Sequence, residues 1–422
     1  MHICSLERMR DKIQVFATFG ATDHGGVTRY ALSPEDQQAR DEFVRRMRAI
    51  GATIECDDLA NMYATIPGSK PTAKRIAMGS HCDSVKCGGN YDGILGVMGA
   101  MEVLETVVAE DIPHEHPLTA VIWTNEEGAE FPPCMMCSAI VCNEFLPEHF
   151  RANFAEEAML ASRSIVTDGV TFGDRLAGFK YRGEASNRLS RNQYAAMFEL
   201  HIEQGPILEN SAKDIGVVTC VLGQMLYRMR FHGRAAHAGT FPMRQRQDAF
   251  HAAAECLCWL HNEIDRLGCD DLVYTTGEVT IHPCVNTVIP DFFDFSIDVR
   301  HEDPAVLDKV RKILVAATSR LWQGCRCECQ PGWNRDTVFW DPRLVDHVRQ
   351  SVRELGYSYM DIHSGAGHDA QYVSYMLPTT MVFVPSDKGL SHCEKEHTSA
   401  AQCTKGASVM LNAVLRCDKS TL

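Results

Sequence analysis

No stretch of this 422-residue chain reaches eighteen consecutive apolar residues, so no segment is long enough to cross a bilayer as a hydrophobic helix. Basic charge is also scarce: 41 Lys and Arg stand against 55 Asp and Glu, a formal charge of −14 at pH 7. A nucleic-acid-binding face would have to be assembled against that average, so neither nucleic acid nor membrane is expected as a partner. The opening residues Met1-His2-Ile3-Cys4-Ser5-Leu6-Glu7 have neither the basic n-region nor the apolar h-region of a secretory signal, and a cytoplasmic location is expected. Internal repeats and low-complexity tracts are missing too. Cysteine, by contrast, is abundant at 18 residues, but its two clusters, Cys134, Cys137 and Cys142 and then Cys325, Cys327 and Cys329, have no second C-x-x-C at structural-zinc spacing. Alternation in Cys325-Arg-Cys-Glu-Cys would send three sulfurs to one face of a strand, so buried or half-buried free thiols are expected.

The length exceeds what one hydrophobic core usually serves, and a composition that is 45% apolar supplies material for a large one. Ser33-Pro34-Glu35-Asp36 reads as a helix start, and Gly51 as its end. Arg75 to Ser80 and Leu118 to Trp123 read as strands, with Ile94, Val97, Met98, Met101, Leu104 and Val108 at helical spacing between them. This alternation predicts an α/β catalytic domain with a mixed, mostly parallel sheet flanked by helices, built from residues 1–213 and 333–422. From Asp214 the texture changes to β-β-α-β-β-α-β, with strands at Ile215 to Val221, Tyr227 to Phe231, Leu272 to Ile281, Phe292 to Val299 and Cys325 to Cys329. A smaller inserted α+β domain, residues 214–332, with a four-stranded antiparallel sheet and two helices is therefore predicted.

Chemistry concentrates just after the predicted strands, where open α/β sheets build their sites. Gly79-Ser80-His81-Cys82-Asp83 presents an imidazole and a carboxylate, Gly88-Gly89-Asn90-Tyr91-Asp92-Gly93 a carboxylate among glycines, and Thr124-Asn125-Glu126-Glu127-Gly128 two adjacent glutamates. A pair of divalent cations about 3.5–4 Å apart needs imidazoles, a shared carboxylate and a free carboxylate to manage protons. Asp83, two residues past His81, could orient that imidazole; Asp92, freed by Gly88, Gly89 and Gly93 to take an unusual backbone geometry, suits the bridge. Glu126 and Glu127 face different ways, so one can bind metal while the other serves as general base.

These residues resemble a known family, the two-metal amidohydrolases that include N-carbamoyl-L-amino-acid hydrolase, fungal-type β-ureidopropionase and allantoate amidohydrolase, relatives of aminoacylase and carboxypeptidase G. The resemblance runs from Gly26-Val27-Thr28-Arg29 through the three segments above, Glu199-Leu200-His201-Ile202-Glu203-Gln204-Gly205-Pro206, Ala236-His237-Ala238-Gly239-Thr240 and Ser364-Gly365-Ala366-Gly367-His368-Asp369-Ala370 to Ser391-His392. It implies one divalent ion on His81, Asp92 and His201 and a second on Asp92, Glu127 and His392, with Glu126 as general base and Asp83 behind His81. Zinc, manganese, cobalt and nickel all suit such donors. The inserted domain is implied to be a lid and a dimerisation domain, with His237 reaching the active site of a homodimer partner to steady an oxyanion. Arg300 is implied as the fork for a substrate carboxylate, with Gln204, Gln224, Asn286 and the Gly367 backbone as further contacts.

The implied reaction is hydrolysis of the ureido C–N bond of an N-carbamoyl-L-amino acid or N-carbamoyl-β-alanine, with allantoate as the alternative substrate. A relative that binds without catalysis would have lost the base or a ligand, and here Glu126 and every ligand position are filled. His397 rivals His392 for the last ligand place, although Gly389-Leu390-Ser391-His392 fits the family pattern; His368 reads equally as a substrate contact or as support for its loop. His114, His116, His149, His232 and His282 read as structural or exposed. Three departures stand out: Glu130 where the family usually has arginine, Phe241 in place of a threonine near His237, and apolar Leu222, Met225 and Leu226 around Gln224, which suggest either an apolar side-chain pocket or ordinary packing.

Overall fold

In the computed structural model, which describes residues 1–420, the chain forms two compact units. One comprises Met1–Thr219 and the chain from Phe339 onward; the other is Cys220–Val338. The insertion thus starts at Cys220 rather than 214 and runs to Val338 rather than 332. Pairing explains both shifts. Ile215–Val221, read from the sequence as the insertion's first strand, pairs antiparallel with Thr379–Val384 and so belongs to the first sheet. At the other end Cys325–Arg335 continues past Cys329 along Gly223–His232 until Arg335 stands opposite Gln224.

The first unit is built on a mixed sheet whose centre is parallel. Leu118–Trp123, Arg75–His81, Tyr194–Ile202 and Thr379–Val384 lie side by side in that order and in one direction. Met62–Ile66 and Ile215–Val221 flank them antiparallel. Nearly every residue of the four central strands is buried, as expected where both faces of a parallel sheet are covered. The helices Ile94–Ala109 and Ala400–Asp418 are buried along most of their length, which is why their apolar residues crowd all round rather than on one stripe. Local chemistry sets the helix ends: the Ser33 hydroxyl accepts from Asp36 N, Asp341 caps Pro342–Leu355, and Gly356 closes that helix at φ +72°. Among the described residues, no helix is long and apolar enough to cross a membrane.

Beneath the strand ends lies a buried cationic layer. Arg40, fully buried, donates to Asp36 Oδ1 at 2.9 Å, to the Ala60 carbonyl at 2.6 Å and to Thr124 Oγ1 at 3.2 Å. Arg29, 1% exposed, donates to the Cys82 carbonyl at 2.6 Å. Thr124 and Cys82 adjoin the acidic turns, so these guanidinium groups tie the helix Pro34–Ala49 and the N-terminal loops to the backbone that carries the candidate site. Arg40→Ala leaves Asp36 buried without its cation and is expected to cost about 3–5 kcal/mol. An unchanged urea midpoint would show that this layer contributes little.

The second unit has a six-stranded antiparallel sheet in place of the expected four. Gly223–His232 sits between Cys325–Arg335 and Phe292–His301. Leu272 to Ile281, read as one strand, is two short ones, Val273–Thr275 and Val279–His282, both on Phe292–His301, and Leu321–Trp322 adds a hairpin to Cys325. Met225, Tyr227, Met229 and Phe231 alternate inward from Gly223–His232 and pack with the helices Ala249–Asp265 and Pro304–Ala317. Cys325 and Cys327 are buried on that side, Cys329 is half-buried, and the cysteines form no disulfide among the described residues.

Candidate metal centre

The carboxyl ends of the parallel strands bring the expected donors together. His81 ends its strand, His201 is the penultimate residue of Tyr194–Ile202, and Glu126 and Glu127 follow Trp123 by a turn. Asp92 precedes Gly93, whose φ of +64° turns the chain into Ile94–Ala109; a Cβ at Gly93 would lie 2.2 Å from His81 Nε2. Glycine is required there both for its backbone and for the imidazole's room. Gly89 is a different case: it takes no left-handed φ, and a Cβ on it would strike Glu396 Oε1 at 2.1 Å.

Asp92 divides its two oxygens between two groups. Oδ1 lies 3.3 Å from His201 Nε2 and 3.8 Å from His81 Nε2, whereas Oδ2 lies 3.2 Å from His392 Nε2. His392 Nε2 is also 3.6 Å from Glu127 Oε2. His81–Asp92–His201 and Asp92–Glu127–His392 each gather donors within reach of one cation. Tyr91 packs its ring against His397, which stands apart from both trios, so His392 rather than His397 is the imidazole beside Asp92 and Glu127.

Orientation and charge both suit cations at these points. His81 Nδ1 is 3.0 Å from the Asp83 carbonyl and His201 Nδ1 is 2.9 Å from the Ile202 carbonyl, which turns both Nε2 atoms toward Asp92. Burial, only partly countered by Asp92, pulls His81 down to about 4, leaving a neutral imidazole with a lone pair. For His201 burial also lowers proton affinity, but hydrogen bonding to Asp92 outweighs it and raises the group to about 9, so positive charge is favoured between the two. Glu127 Oε1 is buried with no hydrogen-bond partner. An unpaired buried carboxylate oxygen facing imidazoles and a shared aspartate is a donor set that fits divalent cations.

Glu126, 8% exposed, places Oε2 3.5 Å from His81 Nε2. Burial, with Asp369 and Glu127 nearby, raises its carboxyl well above the usual range. Asp83 stands behind His81 with both of its oxygen groups: its carbonyl meets His81 Nδ1 at 3.0 Å, and its carboxylate Oδ1 lies 3.7 Å from the same nitrogen. The carboxylate also accepts from Glu126 N at 3.3 Å and Glu127 N at 3.1 Å, fixing the turn that carries both glutamates. Gln204, expected to touch substrate, donates to Asp92 Oδ2 at 2.7 Å, while Gly367 is half-buried in the turn where Ser364 Oγ meets His368 Nε2 at 2.8 Å. The His368 ring packs edge-on against His201 at 4.5 Å, which favours the supporting role for it.

The second unit assembles the remaining expected residues in two pairs. Arg300 and Gln224 are cross-strand partners, and both donate to the Asp298 carboxylate, Arg300 through Nε at 2.9 Å. His237 bridges to Val288, and Ala238 N donates to the Thr287 carbonyl, so exposed His237 and exposed Asn286 lie on adjoining segments. Met225 is a core residue of this unit and Leu222 is 3% exposed, so packing accounts for them without a pocket. Phe241 lies beneath the Arg234 guanidinium at 5.1 Å. In the first unit Glu130, buried, accepts from Arg175 at 2.7 Å and from Ser164 Oγ at 2.9 Å, so a charge of unusual sign is answered locally.

Two buried acids escape a reading of the sequence. Glu199 accepts from Ser80 Oγ at 2.6 Å and from Ala370 N at 3.0 Å, joining two strands to the helix Asp369–Val373. Glu396 accepts from the backbone of Asp92. Only its motif-like spacing after His392 hints at the latter, because the contact closes across 304 residues.

Residues 77–416 match the family described as peptidase family M20/M25/M40. The chain is 34% identical over 416 residues to an N-carbamoyl-L-amino-acid amidohydrolase of Rhizobium meliloti, covering 97% of this chain and 95% of that protein. It is 33% identical over 408 residues to an allantoate amidohydrolase of Bacillus subtilis, covering 96% of each. A crystal structure of an amidase of the hydantoinase/carbamoylase family from Burkholderia multivorans superposes with a TM-score of 0.89 at 36% identity, covering 100% of this chain and 99% of that one. The chain therefore belongs to the peptidase family M20/M25/M40, as an amidohydrolase acting on carbon–nitrogen bonds.

Proposed function

We propose that the protein hydrolyses the ureido C–N bond of an N-carbamoyl-L-amino acid or N-carbamoyl-β-alanine, releasing the amino acid, carbon dioxide and ammonia. The observation that carries this reading is the Asp92-centred pair of trios with Glu126 beside His81, in a chain matched end to end by relatives named for ureido substrates. His81, Asp92 and His201 would hold one divalent ion and Asp92, Glu127 and His392 the other, and such ions would supply Lewis acidity and lower the pKa of water. Glu126 takes the proton from the attacking water and returns it to the departing nitrogen. Asp83 keeps Glu126 and Glu127 in register through their amides. Arg300, with Gln224 and Asn286, receives the substrate carboxylate, Gly367 offers its backbone, and His237 donates to the developing oxyanion.

Exposed Val273, Val279 and Leu321 on the second unit's strands support a homodimer formed through that unit, and eighteen cysteines that form no disulfide support a cytoplasmic setting. Side-by-side assays with N-carbamoyl-L-amino acids, N-carbamoyl-β-alanine and allantoate, in manganese, zinc, cobalt or nickel, test the reading, with light scattering on the same samples. The carbamoyl amino acids are expected to release ammonia fastest, from a dimer. Preference for allantoate would favour the second reading, which the Bacillus subtilis relative supports. Ammonia from none of them would remove both.

A further inference from the structure

Glu396 is 4% exposed and takes no part in either trio. Its Oε1 accepts the main-chain N–H groups of both Tyr91 and Asp92, each at 3.0 Å. Its Oε2 lies 3.0 Å from the Ser391 hydroxyl, and that hydroxyl lies 2.9 Å from Asp92 Oδ2. One carboxylate therefore grips the backbone of the bridging aspartate, and the Ser391 hydroxyl, with one proton to donate, sits between that carboxylate and the aspartate's side chain. The same Asp92 Oδ2 is the oxygen that faces His392, the residue after Ser391.

Gly89 records the same requirement from the other side. A Cβ at this position would lie 2.1 Å from Glu396 Oε1 and 2.2 Å from its Cδ, so no side chain at 89 can coexist with the carboxylate in place. Its backbone needs no positive φ, so space for Glu396 is what the residue provides.

We propose that Glu396 is a positioning residue for the metal centre, locking the Asp92 loop to the 391–396 segment so that Asp92, Glu127 and His392 are preset as ligands of one cation. The proposal rests on the metal reading given above. Groups that orient a ligand from behind change metal affinity by about 10- to 100-fold when removed. The effect falls unequally on the two trios. His81 and His201 are carried by strand ends and retain their orientation without Glu396, whereas Asp92 Oδ2, which also accepts from Gln204, is tied to the 391–396 segment that carries His392 by Ser391 and by the Glu396 grip on the Asp92 backbone.

The test uses the full-length protein loaded with manganese, desalted, and assayed for metal content and for the rate of release to a chelator. Wild type is expected to hold two ions per chain. Glu396→Ala is expected to hold about one, with the second released at least about tenfold faster. Glu396→Gln should behave nearly as wild type, because its amide oxygen can accept both N–H groups while its NH2 donates to Ser391. Gly89→Ala should reproduce the loss with Glu396 still present. Circular dichroism of the metal-free variants reports whether the fold survives, and if Glu396→Ala does not fold, the other two substitutions still decide. Two tightly held ions in Glu396→Ala or Gly89→Ala would overturn the proposal, as would a Gln variant as poor as Ala. A wild type that takes up no cation would overturn the metal reading and this proposal together.

Discussion

Glu126→Gln is expected to leave fold and metal content unchanged and to lower turnover by about 10²- to 10⁴-fold. The substitution keeps shape and volume, so the turn held by Asp83 through the amides of Glu126 and Glu127 persists. What disappears is the carboxyl that faces His81 Nε2, on the side of the two trios, without belonging to either. Burial first, then Asp369 and Glu127, raise the proton affinity of Glu126 well above that of an ordinary glutamate, which is the tuning a general base needs. Bound cations would draw it down again by their own charge, toward working pH. An amide can do neither half of the proton transfer. Initial rates on the preferred ureido acid, with metal counted in the same preparation, settle the matter. Turnover within a factor of a few of wild type would assign the base elsewhere.

Asp92→Ala is expected to abolish two-metal binding and to lower activity by about 10³-fold or more, since both ions and the chemistry they support depend on one shared carboxylate. Its Oδ1 serves His81 and His201 while its Oδ2 serves His392, so no other residue belongs to both trios. Two hydrogen-bonded imidazoles outweigh the burial that would otherwise raise Asp92 and hold it well below the usual carboxylate range, so it remains ionised and available to cations. Binding to the folded state alone stabilises it, by about 2.7 kcal/mol at a hundred times the dissociation constant. Added manganese should therefore raise the melting temperature of the wild type and leave that of Asp92→Ala nearly where it was. A variant that still takes up two ions per chain would show that the carboxylate does not bridge.

Much of this site is legible in the residues alone, for a local reason. His81, Glu126 and Glu127 follow apolar strand-forming runs, and Asp92 precedes a helix opened by Gly93, so period and punctuation place each donor at the end of an element. Helix starts at Ser33-Pro34, Asp303-Pro304 and Asp341-Pro342 are equally local, since the capping oxygen and the proline sit next to the turn they define. Strand partnership is not local. Ile215–Val221 reads as a strand in either context, and only its packing on Thr379–Val384, far along the chain, assigns it to the first sheet. In Leu272 to Ile281 the break into two pieces on Phe292–His301 falls at Gly277, a local signal, but which strand accepts the pieces is not local.

The sequence by itself determined which residue types stand at the ends of which elements, because hydrophobic period, glycine and capping chemistry act within a few residues. Tertiary structure alone decided which atom meets which: that Asp92 turns Oδ1 to two imidazoles and Oδ2 to a third, that the Asp83 carboxylate accepts the amides of Glu126 and Glu127, and that Glu396 closes on Asp92 from 304 residues away. Such contacts are set by how whole strands and helices pack, and a one-dimensional pattern carries no distance between residues so far apart.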